Sequence, residues 1–216
     1  MIETLYKGGY MMVPLILCSV LAVTVLIDRA LAFYKNRQID NRSLRARVME
    51  LLSQGRLNEA IELCDSTPSP VSAVLMVGLQ SYRKHRALSK RPEAITSIME
   101  ESMDDYSIHA MSNVEKRLGV LSTIGNAAPL LGMTGTVLGM ITTFETLSSM
   151  KGMDIQALGV GIAEALITTA AGLLIALLAV IPYRMFTSMA DRIDLEIEES
   201  RSELLDFVAT QMETAE

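Results

Sequence analysis

LGVLSTIGNAAPLLGMTGTVLGMITTF, residues 118–144, contains no charged side chain over 27 positions. An α-helix rises about 1.5 Å per residue, so this stretch is longer than the roughly 30 Å hydrocarbon core of a bilayer. Two other stretches have the same character: residues 8–27 carry no charge, and residues 155–183 carry only Glu164. Three such runs favour membrane spans over buried core helices of a soluble protein. The sequence therefore predicts three transmembrane helices.

The composition argues against nucleic-acid binding, catalysis and metal binding. Half of the 216 residues are hydrophobic and 20% are charged, and the formal net charge of −6 gives no overall basic excess toward nucleic acid. The two cysteines, Cys18 and Cys64, form neither a disulfide framework nor a metal-ligand spacing. The sequence also lacks a nucleophile motif and a phosphate-binding loop. We therefore expect no enzyme activity, no cofactor and no metal site.

The distribution of basic residues predicts the orientation in the membrane. Residues 35–117 hold 13 lysines and arginines, whereas the amino-terminal tail holds only Lys7 and the turn between the second and third spans holds only Lys151. Short loops rich in basic residues stay in the cytoplasm, so we expect the amino terminus outside and the carboxyl terminus inside. The predicted segments are an outward-facing amino-terminal segment (1–10), the first span (11–34), a cytoplasmic helical domain (35–117), the second span (118–147), a short periplasmic turn (148–154), the third span (155–183) and a cytoplasmic carboxyl-terminal helix (184–216).

Apolar periodicity extends two of the spans into the cytoplasm. From Pro92, apolar residues recur at helical spacing up to the second span without a helix breaker, which predicts one helix of more than 50 residues. An apolar stripe from Phe186 to Val208 predicts that the third span also continues as a helix. No stretch alternates with the period of a β-strand. The predicted fold class is an all-α integral membrane protein with three transmembrane helices, two of them extended into the cytoplasm as a long helical stalk.

Small residues line one face of each of the last two spans. In the second span they recur at spacings of 3 and 4 residues, and the third span repeats the pattern. Membrane helices approach closely through such faces, because lipid provides no hydrophobic drive between them. Pro129 additionally frees a backbone carbonyl in the second span. Packing alone accounts for these residues, and those assigned to helix packing are Gly125, Pro129, Gly132, Gly135, Gly139, Gly161 and Gly172.

Glu164 is the one charged residue inside the third span. A carboxylate at the centre of a span costs about 2.5–3.5 kcal/mol on insertion scales, so such residues usually face a bundle interior or a water-filled path. Thr168 lies one turn away on nearly the same face, whereas Thr169 is rotated by roughly 140° from Glu164 on an ideal helix. With the second-span threonines Thr134, Thr136, Thr142 and Thr143, these groups would form a polar lane. On the residues alone, an ion-carrying role and a neutral, hydrogen-bonded structural role for Glu164 are both open.

Two longer segments carry a resemblance to a known family. GNAAPLLGMTGTVLGMITTF (125–144) resembles the second-span signature of the MotA/TolQ/ExbB proton channel family, and GIAEALITTAAGL (161–173) resembles its third-span signature. Asp28 and Arg29 stand where the family commonly has an acidic-basic pair. The ExbB/TolQ branch fits better than the flagellar branch, because the latter usually has four spans and a larger cytoplasmic domain.

The resemblance implies roles and partners. It places the family's essential membrane glutamate at Glu164 and its two pore threonines at Thr136 and Thr169, while Thr168 is an addition that many relatives replace by a small apolar residue. It further implies a homopentamer in the bacterial inner membrane that encloses two copies of a single-span ExbD/TolR-like protein with a membrane aspartate. The proton-motive force would then energise periplasmic or outer-membrane processes such as transport, with a TonB/TolA-like periplasmic effector as a further candidate partner.

Two alternatives stay open at the level of the sequence. The chain would be a structural membrane scaffold without ion conduction if Glu164 served only as a hydrogen-bonded packing residue. It would be a sodium-driven relative if the glutamate and the hydroxyl groups handled sodium ions. The lack of further carboxylates within the spans favours protons.

Overall fold

The computed structural model describes residues 9–88, 91–149 and 155–213. Within these ranges the chain forms seven α-helices and no β-strand, so the prediction of an all-α protein is confirmed. Most of the predicted amino-terminal segment (1–10) and of the predicted turn (148–154) lies outside the described residues. The helices are α1 (Met12–Arg37), α2 (Asn41–Ser53), α3 (Leu57–Ser66), α4 (Pro70–Ala87), α5 (Pro92–Glu115), α6 (Leu118–Ser149) and α7 (Ile155–Glu213).

Three helical segments are long and apolar enough to cross a membrane: Met12–Arg37, Leu118–Ser148 and Leu158–Met212. A helix pairs its backbone N–H and C=O groups internally, which the hydrocarbon interior of a bilayer requires. Large apolar side chains such as Leu130 and Leu174 are exposed on these segments, as expected for surfaces that meet lipid or other membrane proteins. The chain is therefore an all-α membrane protein with three candidate spans.

The predicted continuous helix from Pro92 into the second span is wrong. α5 ends at Glu115 and α6 begins at Leu118, with a turn at Lys116 and Arg117 between them. Arg117 has a φ of 69°, and this left-handed conformation interrupts a right-handed helix. The apolar periodicity continues on both sides of the turn, so the pattern gave no sign of it. Of the two predicted long helices, only the one that contains the third span is continuous.

The first compact unit combines the described part of residues 1–30 with Arg117–Phe186. It contains most of α1, all of α6 and the first part of α7. Its buried side chains are mostly aliphatic and many are small, which lets membrane helices approach closely. Examples are Leu15, Ala22, Leu121, Ala128, Ala165, Ala176 and Ala179.

The second compact unit combines Leu31–Lys116 with the described part of residues 187–216. In this unit α4 packs on α3 and α5. Gly78 of α4 faces Met103 of α5 and Leu204 of α7, so the last part of α7 completes the core. Its other fully buried side chains include Val48, Leu75, Leu79, Met99 and Val208.

Polar side chains define where helices of the second unit begin. The Asp40 carboxylate accepts hydrogen bonds from the backbone N–H groups two and three residues further on, at 3.1 and 3.2 Å, and so caps α2. A hydrogen bond from the Ser43 hydroxyl lowers the pKa of Asp40 below its ordinary value. Ser69 and Ser72 form a capping box at the start of α4.

Candidate functional site

Glu164 lies in α7, nine residues after the helix begins, and is half-buried within the first unit. Its backbone carbonyl oxygen accepts a hydrogen bond of 3.0 Å from the Thr168 hydroxyl. Its carboxyl group lies against Gly9, because the Cδ atom of Glu164 is 3.4 Å from the point where a Cβ atom on Gly9 would stand. The carboxyl group is therefore in contact with backbone near the start of α1.

Thr168 lies one turn further along α7 and is only 1% exposed. It packs against Gly135 of α6, where an added Cβ atom would stand 3.1 Å from the Cβ atom of Thr168. Its hydroxyl group donates to the backbone of its own helix at Glu164. Thr168 thus fills the contact between α6 and α7 next to the Glu164 turn.

Thr169 contacts α6 at Gly132, and Thr136 lies on α6 next to Gly135, the residue against which Thr168 packs. The Thr169 hydroxyl donates to the backbone carbonyl oxygen of Gly132 at 2.9 Å and so links the two helices. Thr136 follows Gly132 by one turn on α6 and is partly exposed. Its hydroxyl donates to the carbonyl oxygen of Met133 at 2.6 Å.

Glu164 and Thr168 share one flank of α7, one turn apart. Thr169 is rotated by about 140° from Glu164 around an ideal helix, and its hydroxyl group contacts α6 at Gly132, one turn from Thr136. A polar lane that includes all four residues stays a prediction.

The glycines assigned to packing lie where α6 and α7 approach each other. A Cβ atom on Gly172 would stand 2.5 Å from the carbonyl oxygen of Ala128 and 3.0 Å from the Cα atom of Gly132, so no side chain fits at this helix separation. Pro129 lies in α6 and is half-buried. The remaining glycines have neighbours on the opposite helix, namely Val180 for Gly125, Thr168 for Gly135, Ala165 for Gly139 and Thr143 for Gly161.

The described residues contain no group of three or more His, Cys, Asp or Glu side chains that could hold a metal ion. Cys64 is buried in the second unit, and burial raises the pKa of its thiol to about 12. Such a thiol is protonated at neutral pH, and the protonated form is neither a good nucleophile nor a metal ligand. In the part of the third span that the structure describes, Glu164 provides a carboxyl group, and Thr168 and Thr169 provide hydroxyl groups close to it along the helix.

Comparison with known proteins assigns the chain to a family. Residues 66–199 match the model of the MotA/TolQ/ExbB proton channel family, and this range includes Glu164 and its neighbouring threonines. The chain belongs to this family. It is similar to the biopolymer transport protein ExbB of Neisseria meningitidis, with 30% identity over 179 residues that cover 79% of this chain and 78% of the relative.

The similar proteins include some that are named ExbB and others that are named TolQ. The Tol-Pal system protein TolQ of Haemophilus influenzae is 28% identical over 196 residues, which cover 88% of this chain and 86% of the relative. The putative biopolymer transport protein ExbB-like 1 of Synechocystis is 30% identical over 192 residues, which cover 88% of this chain and 71% of the relative. The resemblance to the ExbB/TolQ branch is confirmed.

Thr143, one of the second-span threonines expected in the polar lane, lies on the packing face between α6 and α7. It is buried, donates its hydroxyl to the carbonyl oxygen of Gly139 at 2.6 Å, and lies against Gly161. Gly9, which contacts the carboxyl group of Glu164, was not predicted, because no pattern in the sequence distinguishes it.

Asp28 connects the end of the first span with the start of α6. Its Oδ2 atom accepts hydrogen bonds from Nε and Nη2 of Arg29 at 3.0 and 2.9 Å. The same oxygen pairs with Nη1 of Arg117 at 3.0 Å. Arg117 is the left-handed residue that precedes α6, and nothing in the sequence indicated that it pairs with Asp28. Asp28 thus forms an ion pair with the residue at the turn before α6.

We expect Arg117→Gly to be more stable than Arg117→Ala by about 1 kcal/mol, because glycine adopts the left-handed backbone without strain. Both variants lose the ion pair with Asp28, so their difference isolates the backbone contribution. The ion pair itself should add less than about 1 kcal/mol, since its side chains are 52% and 37% exposed. Thermal unfolding in detergent measures these differences, and equal stability of the two variants would contradict a left-handed turn at this position.

Proposed function

We propose that the chain is the ExbB/TolQ-like channel subunit of a proton-driven motor in the bacterial inner membrane. Glu164 carries the proposal: it is the one carboxyl group in a stretch of 29 otherwise uncharged residues, and it is half-buried beside the buried Thr168. The family is one of proton channels. The names of the relatives point to biopolymer transport and to the Tol-Pal system, which supports a role in energising periplasmic or outer-membrane processes.

In this proposal Glu164 takes up and releases the transported proton, or provides the charge that meets an aspartate of the partner. An ionised carboxylate within a span is costly, so its protonation changes which helix contacts are favourable. One elementary charge that crosses 100 mV releases about 2.3 kcal/mol, which is enough to shift a helix between two packings. Proton flow would thereby drive movement of the partner relative to the ring.

Thr136 and Thr169 would hydrate and orient the path. Each hydroxyl donates its hydrogen to a backbone carbonyl, that of Met133 or of Gly132. A hydroxyl oxygen that donates its hydrogen still has lone pairs that accept hydrogen bonds. Both threonines therefore offer acceptors to water or to a hydrated proton, whereas Thr168 supports the turn that carries Glu164.

An exposed polar side chain in the second span supports an assembly. Asn126 is exposed on α6 of a single chain, and a polar side chain that faces lipid is costly. We infer that Asn126 faces other subunits or a hydrated interior. The assembly that we propose is a homopentamer around two copies of a single-span ExbD/TolR-like protein with a membrane aspartate, and a TonB/TolA-like effector would receive the force. The amino terminus would be periplasmic and the carboxyl terminus cytoplasmic, as the basic residues predict.

A structural membrane scaffold without ion conduction is the alternative from a different class. The contacts of the Glu164 region with Gly9 and Thr168 are the observation that favours it, because they are also those of a packing residue. A scaffold would work without an ion gradient. A sodium-driven relative would instead keep working when a protonophore removes the proton gradient and would stop when sodium is withdrawn.

Native mass spectrometry of the chain, co-expressed with the single-span product of its neighbouring reading frame, tests the proposed assembly. We expect five copies of this chain with two copies of the partner. A lone or dimeric subunit that never captures a single-span partner would contradict the ring and favour the scaffold. Addition of a protonophore to cells tests the energy source, and we expect the coupled process to stop.

A further inference from the structure

The turn that leads into α1 lies on the carboxyl group of Glu164. Gly9 has a φ of 67° and its carbonyl oxygen accepts a hydrogen bond from the N–H of Met12 at 3.1 Å. A Cβ atom on Gly9 would overlap Oε1 of Glu164 and would stand 3.4 Å from its Cδ atom. The carboxyl group therefore occupies the space that a side chain at position 9 would need.

Two separate requirements make glycine necessary at position 9. The left-handed backbone disfavours any residue with a Cβ atom, and the Glu164 carboxyl group excludes that atom sterically. Gly55 provides an internal comparison, because it has a φ of 73° but nothing within 4 Å of its Cβ position. The backbone requirement is shared by both glycines, and the contact with a carboxyl group distinguishes Gly9.

The following residues keep this turn in place. Met12 is only 6% exposed, whereas Tyr10 is 97% exposed. The Cβ atom of Met11 lies 3.3 Å from the Cβ position of Gly135, which is itself in contact with Thr168. Gly9 thus contacts the Glu164 carboxyl group, and Met11 lies next to the contact between Gly135 and Thr168, at the end of the first unit where α1 begins.

We propose that Gly9 is a positioning residue for Glu164, and that residues 9–12 form the wall that closes the Glu164 site on the side of the α1 amino terminus. This inference rests on the proposed function insofar as Glu164 carries the proton. Without a side chain at position 9, the backbone lies directly on the carboxyl group and restricts its rotamers. A side chain at this position displaces either the carboxyl group or the turn, and both displacements open the wall.

Labelling with dicyclohexylcarbodiimide, an apolar reagent that reacts with carboxyl groups inside membranes, tests the wall in membranes that contain the assembled complex. We expect Gly9→Ala to raise the rate of Glu164 labelling at least about threefold, because local opening controls access to a covered group. Gly55→Ala has the same backbone cost without the contact, and it should label like the wild type. A smaller rise in Gly9→Ala, no rise, or an equal rise in Gly55→Ala would overturn the proposal.

A second variant separates folding from positioning. Asparagine tolerates the left-handed backbone better than alanine but still carries a Cβ atom, so Gly9→Asn should assemble and show the same faster labelling. Wild-type labelling of assembled Gly9→Asn would also overturn the proposal.

We expect Gly9→Ala to reduce coupling at least about tenfold, since misplacement of a reacting group by about 1 Å can cost a hundredfold. The double variant Gly9→Ala/Glu164→Asp tests positioning through labelling, because Glu164→Asp itself displaces the carboxyl group and so lowers coupling. Aspartate is one methylene shorter and leaves room for the added methyl group. Gly9→Ala should therefore raise the labelling rate less in the Glu164→Asp background than in the wild type, and an equal rise in both backgrounds would count against positioning. Intact coupling in Glu164→Gln would defeat the proposed function, whereas the labelling contrast between Gly9 and Gly55 would be unaffected by that outcome.

Discussion

Glu164→Gln is expected to abolish proton-driven coupling while the amount of assembled protein stays unchanged. Glutamine has nearly the same shape as glutamate and keeps hydrogen-bonding capacity, but it cannot take up or release a proton in this pH range. The contacts around position 164 involve Gly9 and the backbone carbonyl that accepts from Thr168, and neither depends on a negative charge. Removal of a carboxylate from a span should also lower the cost of membrane insertion, so assembly should not suffer.

The matched control is Glu145→Gln. Glu145 is exposed on α6, in the same compact unit, and belongs to the end of the second span. Glu145→Gln removes the same charge as Glu164→Gln. Because Glu145 lies outside the proposed path, we expect coupling to persist. Proton uptake by proteoliposomes that contain the complex, read with a pH-sensitive dye, gives the comparison. Coupling that survives in assembled Glu164→Gln would reject the proton role and favour the scaffold.

The spans were predictable because length and charge alone decide them. A run of about 20 uncharged residues is long enough to cross a bilayer whatever its packing partners are. The second and third predicted runs are helical over their described residues, and the first is helical from Met12 onward. The turn at Arg117 was not predictable in this way. Arg117 has a left-handed backbone and forms an ion pair with Asp28, which is distant in the sequence. Local periodicity does not predict such a tertiary contact.

The candidate site was likewise predictable only in part. Glu164 stood out because a charge in a span is costly wherever it lies. The hydrogen-bond partner of Thr169 could not be predicted. It is the backbone carbonyl oxygen of Gly132, and every residue has such an acceptor. Gly9 was missed for a related reason: a lone glycine ahead of a span has many local explanations, and its contact with a carboxyl group arises only when α1 and α7 pack together.

The spacing of small residues indicated close packing but did not identify which helices meet. The structure pairs the small face of α6 with that of α7 in the same chain, with Gly132 and Gly172 at the nearest approach. The primary effect of a larger residue there is therefore expected within the chain. Any loss of oligomer should follow from the misfolded subunit.

Gly172→Ala is accordingly expected to destabilise the first unit strongly. The new Cβ atom would meet the carbonyl oxygen of Ala128 at 2.5 Å and the Cα and N atoms of Gly132 at 3.0 and 3.2 Å. All three are backbone atoms, so no rotamer change relieves the overlap and the two helices must separate. Overpacking typically costs about 1–3 kcal/mol, which corresponds to a fall in Tm of roughly 2–12 °C for a chain of this size.

Gly159→Ala is the matched control for this prediction. It adds the same methyl group to the same helix, at a position with nothing within 4 Å of the new Cβ atom. Alanine has the higher helix propensity, so Gly159→Ala should be as stable as the wild type or slightly more stable. Thermal unfolding of both variants in detergent decides the question. If Gly172→Ala keeps the Tm of Gly159→Ala, α6 and α7 do not meet at Gly132, and the hydrogen bond from Thr169 to that residue cannot position the proposed path.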